Sequence, residues 1–286
     1  MNSRSLLNLG LLLAVLLLGG LIWLSQQKPP SAEPERLTAL AGEDITRIEI
    51  RPARDADAVL ERRGAEWWLV DPFVARADRA RVGAVIGLAR ARSQARYSAS
   101  EVDLRQAGLD RPDLRLRVND ITLELGVTEP LHGRRFVRVG DSVHLIVDRY
   151  SYLLQGGVAA LVSPQLLPVG ARLREIELPG LHLLQDDDQW RLAEGEAASA
   201  DAVQALVDAW RHARALRVSR SDGEADGAAI TLRLAGEAPP RRFVLLRGED
   251  EVLLIRPDLR LSYHFTPEVA GRLLALPPAA DRPDDA

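Results

Sequence analysis

Ile45-Thr46-Arg47-Ile48-Glu49-Ile50 opens a run of elements that continues through Val59-Leu60-Glu61-Arg62 and Trp67-Trp68-Leu69-Val70 to Asp78. Ile48 and Ile50 alternate with charged neighbours, the period of a half-buried strand. The next two runs flank Arg63-Gly64 as a hairpin. From Asp78 to Arg92 the period changes: Val82, Val85, Ile86 and Ala89 fall at i, i+3, i+4 and i+7, one face of a helix capped by Asp78.

The same order recurs downstream. Ile176-Glu177-Leu178 answers Ile48-Glu49-Ile50, Trp190-Arg191-Leu192 answers Trp67-Trp68-Leu69, and Ala200-Asp201 opens a second helix with Val203, Leu206, Val207 and Trp210 on one face. After the first helix come Leu114 to Val118 and Ile121 to Leu125 around the two-residue turn Asn119-Asp120, then Phe136 to Val139 and Val143 to Val147 around Gly140-Asp141. After the second, Ile230 to Leu234 reads like Ile121 to Leu125, followed by Phe243 to Leu246 and Val252 to Ile255. Helical stretches near Arg149 to Leu161 and Pro267 to Leu274 close the halves. The expected fold class is α+β: two tandem copies of a strand-hairpin, helix, antiparallel-strand and helix unit behind an N-terminal transmembrane helix. Trp67 and Trp190 are expected to cover a sheet face against the following helix, with Trp68 on the opposite face, either in the seam between copies or exposed for contact.

The anchor is read from Leu6 to Leu24, nineteen residues with eleven leucines and one amide, Asn8. As a helix it is about 28 Å long, which matches a hydrocarbon core of roughly 30 Å. Its exit, Trp23-Leu24-Ser25-Gln26-Gln27, is a poor cleavage sequence, and no cysteine follows to accept lipid. A short N-terminal tail and a large C-terminal part place the bulk outside the cytoplasm. The expected divisions are 1–5 as a cytoplasmic N-terminus, 6–24 as the anchor, 25–44 as a polar linker, 45–170 and 171–276 as the two α+β units, and 277–286 as a disordered acidic tail.

One segment goes beyond general folding patterns: Ser100-Glu101-Val102-Asp103-Leu104-Arg105-Gln106-Ala107-Gly108-Leu109-Asp110-Arg111-Pro112. It reads as a short helix with Ser100 as N-cap and Asp103 completing the cap, ended by Gly108 in a left-handed conformation, with Pro112 launching the next strand. Its Gly-Leu-Asp-x-Pro pattern resembles the bacterial family called domain of unknown function 4340. So does the surrounding order of anchor, Ile-x-Ile strand, Trp-x-Leu strand, Ala-Asp helix start and hairpin ending in Leu125-Gly126. The resemblance covers most of residues 45 to 175, and at the corresponding place the second half reads Ser221-Asp222-Gly223-Glu224-Ala225-Asp226-Gly227. It implies a membrane-anchored protein associated with ABC-type transporters of the gliding-motility type, and it carries over no catalytic residue.

Composition narrows the chemistry. With 37 basic and 41 acidic residues the net charge is -4, which gives no global field for nucleic acid. No cysteine is present, so disulfides and thiolate chemistry are excluded. His132, His144, His182, His212 and His264 show no metal-ligand spacing, Asp186-Asp187-Asp188 lacks the glycine and glutamate of a calcium loop, and no nucleophile-elbow or phosphate-loop motif occurs. No catalytic, cofactor or metal residue is expected.

The candidate partner-binding residues are Trp68, Arg79, Arg81, Arg90 and Arg92, from an arginine-rich stretch that also holds Arg76 and Arg96 with a single acid, Asp78. Tyr150 to Val169 is apolar but broken by Gly156, Gly157, Pro164 and Pro168, which suits a connection between copies rather than a membrane span. The expected function is a single-pass bacterial inner-membrane protein with a periplasmic C-terminal part, an accessory or scaffold of an ABC-type transport or envelope assembly. Its partners are the lipid bilayer and a membrane protein such as an ABC permease. The alternative is an envelope glycan- or lipid-binding module without catalysis.

Overall fold

The structure is a computed structural model that describes residues 35–187, 189–194, 198–221 and 226–277. The first half contains β1 (Arg47–Pro52), β2 (Ala58–Arg63), β3 (Glu66–Asp71), β4 (Ala75–Arg76), helix α1 (Arg79–Ala89), β5 (Ser93–Ser98), β6 (Leu114–Val118), β7 (Ile121–Thr128), β8 (Arg134–Val139), β9 (Ser142–Val147) and the single turn α2 (Gly157–Ala160). The second contains β10 (Leu173–Leu178), β11 (Leu181–Asp186), β12 (Gln189–Leu192), α3 (Ala200–Arg211), β13 (Arg217–Arg220), β14 (Ala228–Leu234), β15 (Arg241–Arg247), β16 (Val252–Arg256), β17 (Leu261–Phe265) and α4 (Pro267–Leu274). The protein is mixed α and β, dominated by two antiparallel sheets.

The first sheet runs β4-β3-β2-β1-β6-β7-β8-β9-β5 and the second β12-β11-β10-β14-β15-β16-β17-β13. With β4 set aside the orders coincide, which corrects one sequence match. Ile230 to Leu234 lies in β14 beside β10, as β6 lies beside β1, so its counterpart is Leu114 to Val118 and not Ile121 to Leu125. The slip arose because β17 escapes the alternation test. All five of its residues are buried, so it carries no period of two. β5 and β13 also lack an apolar period; each becomes a strand by pairing with the distant β9 or β17.

Local chemistry places the helices as expected. Asp78 accepts a bond from the Ala80 N–H at 2.7 Å, and Val82, Val85 and Ala89 are buried with Ile86 at the margin. Helix α1 stops at Ala89, short of Arg92. Ser199 caps α3, whose Val203, Leu206, Val207 and Trp210 are all buried. The Trp210 indole donates to the Leu273 carbonyl at 2.8 Å and joins α3 to α4. Trp67 and Trp190 are half-buried against the same core. Near Arg149 to Leu161 the helix is reduced to the 3-10 turn Ser151–Leu154 and α2, because Gly156 and Gly157 adopt φ of 96° and 71°, which reverse the helical hand.

Part of the stretch read as a tether belongs to the fold. From Glu35 onward the chain lies along the outer side of the β5 end, with Leu37 N–H donating to Ala91 at 2.9 Å and Ser93 N–H donating to Glu35 at 2.7 Å. Leu37 and Thr38 are buried. The anchor and the acidic tail fall on residues 6–24 and 278–286, outside the described residues; among those described, no helix is long and apolar enough to cross a membrane.

The Gly-Leu-Asp-x-Pro segment is a lid on the outer face of the first sheet. Ala107 and Leu109 bury themselves against Val143 and Phe136, apart from the main core. The short helix expected here is instead the 3-10 turn Ala99–Glu101, with Ser98 and Glu101 as its capping box, followed by a turn in which Asp103 Oδ1 accepts from the N–H groups of Arg105 and Gln106 at 2.9 and 3.1 Å. Gly108 has φ 65°, the left-handed terminator read from the sequence.

Candidate functional site at the seam between the sheets

The chain crosses between halves through Leu161 to Leu167, which is pinned on both sides. Asp78 N–H donates to Leu161 at 2.7 Å and Ser163 N–H to Arg76 at 2.8 Å, while Leu166 N–H donates to Ala213 at 3.1 Å and Ala215 N–H to Pro164 at 2.9 Å. One continuous hydrophobic core therefore runs through both halves. Beside this strap lies a cavity of about 150 Å³, walled by Trp68 and Arg76 of the first half and by Arg241, Arg256 and Tyr263 of the second.

Each wall residue has a local reason for its place. Trp68 and Arg76 are cross-strand partners in β3 and β4, so their side chains stand on one face. Arg76 donates from Nη1 to the Leu167 carbonyl at 3.0 Å and from Nη2 to Glu66 at 3.1 Å. Arg241 grips Glu237 with Nε and Nη2 at 2.9 and 2.7 Å and reaches the Leu166 carbonyl with Nη1 at 3.0 Å. Arg256 grips Asp258 in the same bidentate way, at 3.2 and 2.6 Å. The three guanidinium side chains are 13, 17 and 18% exposed, whereas Glu66, Glu237 and Asp258 are 31, 39 and 58% exposed. The cations thus sit inward and their carboxylates outward. Burial pushes the Tyr263 hydroxyl above its ordinary pKa, against the opposing pull of Arg256 and Arg241, so it stays a neutral hydrogen-bonding group at neutral pH. Elsewhere between the halves, the Arg220 guanidinium of β13 stands 5.8 Å from the ring centroid of Phe73.

Of the five candidate contact residues only Trp68 lies at this cavity, where Arg76 of the same arginine-rich stretch joins it. Arg79 is well exposed and stands 3.8 Å from Glu66. Arg81 is turned inward: Nη1 donates to the carbonyls of Leu153 and of Gln155, the latter at 2.9 Å, and burial lowers its pKa against a smaller raising effect of Asp78. Arg90 is half-buried at the end of α1, and Arg92 is exposed beside Arg36. Arg241, Arg256 and Tyr263 escaped sequence reading because they come from three strands whose adjacency is visible only in the sheet.

A second polar constellation joins Ser219, His264 and Glu251. Ser219 Oγ is 2.7 Å from His264 Nε2, and Glu251 Oε2 is 2.9 Å from His264 Nδ1 and 3.2 Å from Arg217 Nη2. The order matches that of a hydrolytic triad. Here the chain of bonds clips the edge strand β13 to β17 and to the turn before β16, with Arg217 and Ser219 both on β13.

No curated protein and no solved structure matches the chain. The family described as "Domain of unknown function (DUF4340)" matches residues 67–234, from within β3 to the end of β14. That is more than half of the chain and reaches well into the second sheet, further than the Gly-Leu-Asp-x-Pro resemblance extended. The chain belongs to this family.

Proposed function

We propose that this protein is a membrane-tethered extracytoplasmic accessory protein, built from two copies of one α+β unit, that works by binding a membrane-protein partner in an ABC-type transport or envelope assembly. The N-terminal leucine-rich segment supplies the anchor in this reading, and the bulk of the chain stands on the periplasmic side of the bacterial inner membrane. The observation that carries it is the seam cavity. An aromatic wall and three inward guanidinium groups are held on rigid strands, and Trp and Arg are the side chains that dominate protein recognition sites. Because both halves share one core, the walls keep their spacing, and little ordering cost opposes binding.

The test is a photo-crosslinking residue placed at Trp68 in the full chain, followed by purification in mild detergent. A crosslinked transporter subunit at Trp68, with none from a control at Asp110, is the expected result. A chain that emerges alone and uncrosslinked overturns the reading. A crosslink to lipid or glycan instead would favour an envelope-ligand module.

A further inference from the structure

The geometry points to the seam cavity as a receptor for a single carboxylate, the side chain of a Glu or Asp on the partner; this rests on the partner-binding reading and specifies its chemistry. The first support is a difference between the two sheets. In the first, Ile48 pairs with Val118 and Val118 with Ile121; in the second, Ile176 pairs with Leu232 and Leu232 with Arg241. Arg241 therefore occupies the position of Ile121. In the last hairpins, Val139 pairs with Ser142 and Arg256 with Leu261, each pair adjoining the turn on the core side. Arg256 occupies the position of Val139. Ile121 and Val139 both pack against the core, so the fold itself accepts aliphatic residues at these two places.

Inward arginines that the fold does not require are costly, because a guanidinium loses hydration on burial. Their convergence with Arg76 from across the seam, on a space of about 150 Å³, supplies the compensating role. Arg241 and Arg256 each use two N–H groups on an outward carboxylate and Arg76 uses one, Arg241 and Arg76 each use one on a strap carbonyl, and Arg256 gives one to the Tyr263 hydroxyl oxygen, so every guanidinium keeps N–H groups beyond those bonds. The Tyr263 hydroxyl adds a neutral donor. The charge balance selects the ligand: three guanidiniums already face three carboxylates, so one further negative charge is better tolerated than the two of a phosphate monoester. Trp68 and Val74 offer an apolar wall for the methylene stem that carries the carboxylate.

The test uses the full chain in lipid nanodiscs, titrated with N-acetyl-glutamic acid α-amide and followed by ligand-observed NMR. Saturable binding is expected, with the glutamine analogue weaker by about tenfold or more, as a charge-assisted bond of about 1.4 kcal/mol would give. Arg241→Ile combined with Arg256→Val installs the residues of the first sheet and is expected to melt cooperatively while losing about tenfold in affinity. Should that variant not fold, Arg256→Gln with Tyr263→Phe gives the same readout. Equal binding of the glutamine analogue, tighter binding of inorganic phosphate, or undiminished affinity in a folded variant would overturn the proposal. The two readings separate cleanly. A wild-type chain that binds the glutamate amide yet captures no transporter subunit sinks only the partner reading. A subunit captured equally by wild type and double variant sinks only the carboxylate site.

Discussion

The carbonyl oxygen of Ala107 lies 2.1 Å from where a Cβ on Gly126 would stand, and the Val127 N–H donates to that same oxygen at 3.0 Å. The Gly-Leu-Asp-x-Pro lid and the hairpin ending in Leu125-Gly126 are therefore one device, in which a bare backbone at 126 lets the lid dock. Gly126→Ala forces the lid away, exposing Leu109 and breaking the bond to Ala107. A loss of about 2 to 4 kcal/mol is expected in urea denaturation. A variant within about 0.5 kcal/mol of wild type would show that the lid contributes nothing to stability.

Arg81 was a candidate contact residue and instead ties α1 to the turn at Leu153 to Gln155. Arg81→Ala leaves two carbonyls without their donor and is expected to cost about 1 to 3 kcal/mol in stability. Capture of a partner by the folded variant should be unchanged. A variant of full stability that has lost its partner would restore Arg81 to the binding surface.

Trp210 is fully buried, stacks at a tilt on Phe243 with centroids 6.4 Å apart, and donates to Leu273. Trp210→Phe keeps most of the apolar volume and removes the hydrogen bond, so about 1 to 2 kcal/mol is expected; Trp210→Ala opens a cavity and should cost about 3 to 5 kcal/mol. Thermal melts of the two variants check the ranking, and equal losses would contradict the packing described.

His144 is buried, with Nδ1 3.0 Å from Ser93 Oγ. Burial and the nearby Arg96 lower its pKa below the ordinary 6.5, against a raising effect of Glu35. The unfolded chain thus binds this proton at a higher pH than the folded one. The stabilising contribution is present above 6.5 and is lost as pH falls from there through the folded pKa. Stability measured between pH 7 and 5 should decline for wild type and decline less for His144→Gln. Parallel curves for the two proteins would remove His144 as the cause.

The two Ile-x-Ile and Trp-x-Leu strands, the Asp78 and Ser199 helix starts and the left-handed Gly108 were legible in the residues, because periodicity, capping and φ preference act over a few neighbours. Ser98 as the lid's N-cap was missed by two residues, since Ser98 and Ser100 differ only in which N–H they meet. The edge strands β5 and β13 were not legible, since a strand whose only signal is pairing with a partner some fifty residues away has no local signature.

The candidate site shows the same division. By itself the sequence determined the repeated element order, the leucine-rich stretch from Leu6 to Leu24, the absence of cysteine chemistry and the left-handed Gly108 of the Gly-Leu-Asp-x-Pro segment, all consequences of composition or of contacts between near neighbours. Only the tertiary structure decided that Arg81 serves a turn, that Trp68 lines one cavity with Arg241 and Arg256, and that two arginines stand where the sister sheet keeps Ile121 and Val139. Those facts depend on strand order and register, which join residues far apart in the chain through backbone hydrogen bonds that any side chain can accompany.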